Sequence, residues 1–336
     1  MKAMAPGLSV CAPRRQTDKP LTVSFVAPCY NEEANVEAFI DAILGLWDRI
    51  KTEIPSLGSC EIVLVDDGSS DSTWDLIRSA SRRRPEVVGV RLSRNFGHQA
   101  ALLSGLMTAG GDAVISLDAD LQDDIEVIPA MLCAYVSGDE IVFGVRSDRS
   151  SDSVFKRISA HVYYRLLGGL GVDSVYNHAD FRLMSRKALD ALMQYGERNL
   201  YLRGLIKSFG FRTSTVEYER KRRERGQSAY TLRKMIVLGL NGITAFSVRP
   251  LRLFFYLGMA ISTFSLGYII YSVVMAFMGV TISGWASLVV SIYLIGGIQI
   301  IGIGILGEYI GRIYIETKGR PHYLVEEIAR NEEMDR

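Results

Sequence analysis

Between Leu253 and Gly307 the chain carries no Asp, Glu, Lys or Arg. A helix needs about 20 mostly apolar residues to cross a bilayer, because in lipid its backbone polar groups must be satisfied internally. The run is long enough for two such helices, and Val280-Thr281-Ile282-Ser283, flanked by Gly279 and Gly284, breaks it in the middle. The expected spans are 253–277 and 286–306, inside a hairpin over 251–310. Arg249 and Arg252 precede the pair, and Arg312, Lys318 and Arg320 follow it. Positive flanks stay cytoplasmic, so only the short turn is expected outside, with 311–336 a cytoplasmic tail. Gly302-Ile303-Gly304-Ile305-Leu306-Gly307 matches a dinucleotide-loop spacing, but it lies inside a span rather than after a strand. It reads instead as small residues that let helices approach, as do Gly307 and Gly311 at GxxxG spacing.

Upstream the composition is that of an ordinary globular protein. Residues 1–20 lack periodicity and read as a disordered tail; residues 21–230 read as one domain. Leu21 to Cys29, Cys60 to Val65, Val87 to Leu92 and Ala113 to Leu117 are short β-branched runs. Helical patterns separate them, the first with Val36, Phe39, Ile40, Ile43, Leu44 and Trp47 along one face. This alternation indicates an α/β fold with a mainly parallel sheet, in the Rossmann-like manner. Glu140 to Val145 and Thr213 to Tyr218 are further strand candidates. From Thr231 to Phe246 an amphipathic pattern fits a helix in the membrane interface over 231–250, and fits a plain core helix equally.

Four scattered cysteines, without Cys-x-x-Cys or a neighbouring His pattern, suggest reduced cytosolic thiols rather than a disulfide framework or a zinc site. The net charge of +1 gives no argument for nucleic acid, and none is expected as a partner.

The chemistry concentrates where strands end. Asp118-Ala119-Asp120-Leu121-Gln122-Asp123 follows the fourth strand, and two carboxylates one residue apart are hard ligands suited to Mg²⁺ or Mn²⁺. In open α/β sheets ligands bind beyond the carboxyl ends of the strands. Glu32, Asp67, Asp118 and Asp120 are therefore expected around one ligand. Arg146 and Arg182 stand at or beside strand ends, where a guanidinium can hold a phosphate; Arg149, Lys156 and Arg157 are further candidates. The basic run Arg220, Lys221, Arg222, Arg223 and Arg225, close ahead of the apolar part, suits lipid headgroups or a phosphate.

Tyr30-Asn31-Glu32-Glu33, Asp66-Asp67-Gly68-Ser69 and Asp118-Ala119-Asp120 with Gln122 resemble the inverting family 2 glycosyltransferases of GT-A fold. Ser93-Arg94-Asn95-Phe96-Gly97, Asp180-Phe181-Arg182-Leu183-Met184-Ser185, Glu197-Arg198-Asn199-Leu200 and the Leu306 to Arg312 stretch extend the likeness. These are similar to the polyisoprenyl-phosphate glycosyltransferases, especially the bactoprenol (undecaprenyl-phosphate) glucosyltransferases, which are related to dolichol-phosphate mannose synthase. The resemblance implies transfer of a hexose from a UDP-sugar, above all UDP-glucose, to undecaprenyl phosphate at the bilayer of a bacterial inner membrane. It implies that Pro28, Tyr30, Glu32, Asp67, Asp118 and Arg94 hold the nucleotide-sugar. Asp118, Asp120 and Gln122 would hold the metal, and Asp180 would stand near the acceptor as a base or an orienting group. Asp120, Arg182 and Asp180 are thus the expected catalytic set, and Arg146, Arg149, Lys156, Arg157 and Arg182 the acceptor-phosphate set. Gly226-Gln227-Ser228-Ala229-Tyr230 departs from the family pattern, which often has Lys where Ala229 stands. His98 reads either as a group near the diphosphate or as a polar cap. Glycine-rich spans make a homo-oligomer an expected state.

Two other readings compete. The same reaction with another sugar, such as GlcNAc, GalNAc, mannose or an amino-arabinose derivative, uses the same motifs. A non-catalytic membrane scaffold that binds nucleotide or lipid is the alternative of a different class. A processive polysaccharide synthase is disfavoured, because none of Trp47, Trp74 and Trp285 follows an Arg.

Overall fold

A computed structural model describes residues 19–146, 178–195, 206–218, 249–279 and 284–331. The chain divides into two units, one of Met1–His161, Ser174–Ser228 and Arg320–Arg336, the other of Val162–Asp173 and Ala229–Gly319.

The first unit alternates strand and helix: β1 Leu21–Cys29, α1 Val36–Glu53, β2 Leu57–Asp66, α2 Thr73–Arg83, β3 Val87–Leu92, α3 His98–Thr108 and β4 Ala113–Ser116. There follow α4 Ile128–Val136, β5 Ile141–Arg146, β6 His178–Ser185, α5 Arg186–Gln194 and β7 Thr213–Tyr218. β8, Val325–Ala329, closes the unit from the far end of the chain. The eight strands form one sheet in the order β7-β5-β6-β4-β1-β2-β3-β8. β1, β2, β3 and β4 run parallel, as the alternation requires, whereas β6 is antiparallel to β4 and β5, and β8 to β3. The α/β, GT-A-like, mainly parallel sheet expected from the sequence is the observed fold.

Alternating side chains cover the two faces. On one face Val23, Phe25 and Ala27 join Phe39, Ile40 and Ile43 of α1 and Leu132 of α4. On the other, Val26, Val63 and Val65 join Leu102 and Leu106 of α3 and Leu189 of α5. Cys29 and Cys60 are free buried thiols, as expected, but Cys133 is disulfide-bonded.

The sequence order of the sheet reverses at β1, which has β2 on one side and β4 on the other. The connection from β1 to β2 runs one way and the crossover from β3 to β4 returns past β1 the other way, which opens a crevice at the carboxyl ends of β1 and β4.

Residues read as a C-terminal tail contribute β8. It covers the edge of β3, with Ser93 N donating to Leu324 O at 2.9 Å. Arg78 and Arg91 pair with Glu327 and Glu326 at 3.3 and 3.5 Å. An unpaired edge strand invites association, and a charged strand laid over it removes that edge. Its sequence, Val-Glu-Glu-Ile-Ala, is too short and too acidic to announce itself as a strand.

The described part of the second unit holds two long helices, α6 Arg249–Phe277 and α7 Trp285–Thr317. α7 runs well past the expected end of the second span. Among the described residues one segment, Leu294–Thr317, is long and apolar enough to cross a membrane; the apolar run Phe254–Tyr268 in α6 is shorter. A side chain at Gly302 would collide with the Phe254 ring, whereas Gly307 and Gly311 meet nothing within 4 Å. The close approach of the two helices is therefore at Gly302 rather than at the GxxxG pair. The expected amphipathic helix of 231–250 lies almost wholly outside the described residues.

Candidate active site

Three of the loops bordering the crevice, those after β1, β2 and β3, interlock through backbone and side-chain hydrogen bonds. Asp67 N donates to Cys29 O at 2.9 Å, joining the ends of β2 and β1. Asn31, in the left-handed region with φ of 56°, places its Oδ1 to accept Ser70 N at 2.9 Å. Its own N donates to Ser69 Oγ at 3.0 Å. The two oxygens of Asp67 accept Phe96 N at 2.7 Å and Gly97 N at 2.9 Å, fixing the loop after β3. Gly68, with φ of 68°, lies so near Arg94 and Asn95 that an added Cβ would sit 2.6 Å from their backbone. Only glycine combines that conformation with that contact.

These loops place some expected nucleotide-sugar residues openly and occupy others. Tyr30 is half exposed. Pro28 is half buried at the end of β1. The Arg94 guanidinium lies 4.0 Å over the Phe96 ring. Glu32 accepts from Asn35 Nδ2 and its N donates to Thr73 Oγ1, so it organises the start of α1. Asp67 likewise holds a loop with both oxygens.

Asp118 and Asp120 emerge directly after β4. Leu121 takes a left-handed φ of 52°, a strained conformation that turns the chain so that Gln122 N donates to Asp120 Oδ1 at 3.1 Å. Strain of this kind in a non-glycine residue concentrates at functional sites. Gln122 and Asp123 are buried. Burial pushes the Asp118 carboxyl up to about 6; His98 opposes this, while Asp123, Asp120 and Asp180 add to it. Negative charge is thus concentrated at the mouth of the switch point.

β6 brings in Asp180 and Arg182, because its antiparallel register sets Arg182 beside Ser116 of β4. Asp180 Oδ1 accepts from Arg182 Nη2 at 3.2 Å, and Asp180 Oδ2 accepts from Gln99 Nε2 at 3.2 Å. His98 Nε2 lies 3.2 Å from Asp180 Oδ2 and 3.8 Å from Asp118 Oδ1. The His98 ring therefore stands between the two carboxylates rather than serving as a surface cap. The Arg182 side chain is wholly buried, so in this geometry it positions Asp180 and does not face an incoming phosphate.

Arg146 ends β5. Its Nε donates to Tyr218 Oη at 3.2 Å, and its Nη2 lies 3.5 Å from Asp123 Oδ1. Arg149, Lys156 and Arg157 lie outside the described residues.

The fold thus gathers Asp118, Asp120, Gln122, Asp180 and Arg182, all anticipated, with His98, Gln99, Asp123 and Tyr218, three of which sequence reasoning passed over. The sequence alone marks Asp123 only as the end of an acidic loop, and Tyr218 only as the end of a strand. The signal in the sequence is position: Tyr218 ends a strand pattern, and Asp123 closes the turn that carries Asp118 and Asp120.

Comparison with known proteins gives the same outline. Residues 24–193 match Glycosyl transferase family 2, and residues 249–313 match the GtrB C-terminal hairpin. The uncharacterized glycosyltransferase YkoT of Bacillus subtilis (strain 168) is 44% identical over 322 residues, covering 95% of each chain. The SfII prophage-derived bactoprenol glucosyl transferase of Shigella flexneri is 40% identical over 312 residues, covering 92% of this chain and 99% of its own. The prophage bactoprenol glucosyl transferase homolog of Escherichia coli (strain K12) is 39% identical, covering 92% and 100%.

Proposed function

The chain belongs to glycosyl transferase family 2, and from that premise we propose that it transfers glucose from UDP-glucose to undecaprenyl phosphate with inversion. The observation that carries this reading is the meeting of Asp118 and Asp180 around His98 at the switch point of the sheet. The likeness to bactoprenol glucosyl transferases over nearly the whole chain, hairpin included, supports the lipid acceptor.

The donor side uses Asp118, Asp120 and Gln122. Their oxygens are hard donors, and among the described residues no group of three His, Cys, Asp or Glu forms a metal cage. Mg²⁺ is commonly held by one or two carboxylates, with waters and substrate phosphates completing its shell, so this donor set fits such an ion. When bound, Mg²⁺ or Mn²⁺ supplies charge stabilisation to a departing nucleoside diphosphate. Pro28, at the end of β1, and Tyr30 and Arg94, on the loops after β1 and β3, surround the nucleoside.

The acceptor needs little help from a base. A phosphate monoester is largely ionised at neutral pH, its second pKa being about 6. What the protein supplies is alignment: Arg146 binds the phosphate, and Asp180, held by Arg182, Gln99 and His98, orients the sugar for in-line attack.

α6 and α7 form the two-span hairpin, with the sheet domain at the cytoplasmic face of the inner membrane. Apolar length in α7 and basic flanking residues support that topology. Transfer of radiolabel from UDP-[¹⁴C]glucose into butanol-extractable lipid tests the reading. Label appears only with undecaprenyl phosphate and a divalent cation present; its absence with folded protein overturns the proposal.

A further inference from the structure

We propose that Tyr218 and Asp123 are positioning residues that set the Arg146 guanidinium for the acceptor phosphate and tie it to the donor loop. This rests on the reading of Arg146 as the phosphate ligand.

Tyr218 ends β7 and is the register partner of Arg146 in the parallel β5–β7 pair. Its hydroxyl donates to Asp123 Oδ1 at 2.6 Å while accepting from Arg146 Nε at 3.2 Å. Asp123 is 3% exposed and belongs to the same loop as Asp118 and Asp120. One hydroxyl therefore joins a strand-end cation to the loop that carries the paired carboxylates.

The surroundings are shaped for this contact. The Tyr218 ring meets Phe181 edge-on at 5.3 Å between centroids. Gly144, on β5, leaves room for both rings: a Cβ there would lie 2.8 Å from Phe181 Cδ1 and 3.2 Å from Tyr218 Cε1. Phe181 sits between Asp180 and Arg182 in β6, so the ring contact also braces the strand that carries the Asp180 cluster.

The chemistry needs this arrangement. Arginine is always charged, but a flexible side chain pays side-chain entropy each time it is ordered against a phosphate. A guanidinium already oriented through Nε and one terminal nitrogen keeps further N–H groups for the ligand. Asp123 also offsets part of the Arg146 charge locally, at 3.5 Å from its Nη2. The Arg146 side chain retains 29% exposure, enough for an anion to reach it.

The test uses the full-length protein in detergent with undecaprenyl phosphate and UDP-glucose. Tyr218→Phe keeps the ring against Phe181 and removes the bridging hydroxyl. The expected result is a KM for undecaprenyl phosphate raised about tenfold, with the KM for UDP-glucose within about twofold of wild type. Asp123→Asn, which keeps the shape of the side chain, shifts the same constant in the same direction. An unchanged acceptor KM, or equal rises for both substrates, overturns the proposal. Should the wild type yield no glucosyl lipid, the underlying reading of the reaction fails, and direct titration with undecaprenyl phosphate decides the positioning role separately. Weaker binding by Tyr218→Phe supports it and equal binding refutes it.

Discussion

His98 Nε2 lies 3.2 Å from Asp180 Oδ2 and 3.8 Å from Asp118 Oδ1, so one ring links the first turn of α3 to carboxylates on two other elements. Removing the ring removes both of these contacts. His98→Gln is expected to lower kcat/KM by roughly tenfold to a hundredfold, the usual scale for a hydrogen bond to a charged group. Steady-state kinetics beside wild type check this, and unchanged kinetics would return His98 to the role of a cap.

Asp118 carries the clearest pH signature. Burial raises its carboxyl from 3.8 to about 6, with His98 opposing the rise. The folded protein then holds a proton that the unfolded chain releases across that window. Its contribution to stability is present below about pH 4 and lost as pH rises through about 6. In metal-free protein, Asp118→Asn should add about 1 to 3 kcal/mol near pH 8 and almost nothing near pH 4. Thermal melts at both pH values measure it.

Asp120→Ala should remove cation-stimulated transfer by about a thousandfold or more while leaving the fold intact. Its carboxylate accepts only Gln122 N among the described contacts, so little structure depends on it. Circular dichroism together with label transfer separates the two effects; near-normal turnover would remove Asp120 from the metal set.

Gly68→Ala tests the loop that joins β2 to the Arg94 segment. A φ of 68° and a Cβ 2.6 Å from the Arg94 and Asn95 backbone each oppose a side chain. The expected cost is about 2 to 4 kcal/mol of stability, with a raised KM for the nucleotide-sugar. A melt and a donor titration follow both.

Ending the chain after Gly319 removes β8 and uncovers β3. The melting temperature should fall by several degrees and aggregation should rise, since the exposed edge offers unpaired amides and carbonyls. Light scattering during the melt records both.

The parts of this architecture that were legible in the sequence have local causes. β3 and β7 occupy Val87–Leu92 and Thr213–Tyr218, as their β-branched patterns foretold, and α1 buries Val36, Phe39, Ile40, Ile43 and Trp47 as their spacing foretold. The Asp118 to Gln122 turn was legible because acidic residues at a strand end have few structural reasons to be there. β8 was not, because its partner strand lies more than two hundred residues upstream and only that pairing makes it a strand. The Asp123–Tyr218–Arg146 contact was hidden for the same reason: register between β5 and β7 creates it, and no spacing within either segment encodes it. Arg182 looked like a phosphate ligand beside a strand end, but antiparallel pairing with β4 buries it against Asp180.

The most direct measurement is the mass of the lipid formed by purified full-length protein from undecaprenyl phosphate, Mg²⁺ and UDP-glucose. A single product heavier than undecaprenyl phosphate by one hexosyl residue is expected, formed by wild type and not by Asp120→Ala. Unmodified undecaprenyl phosphate after incubation with folded wild-type protein would contradict it.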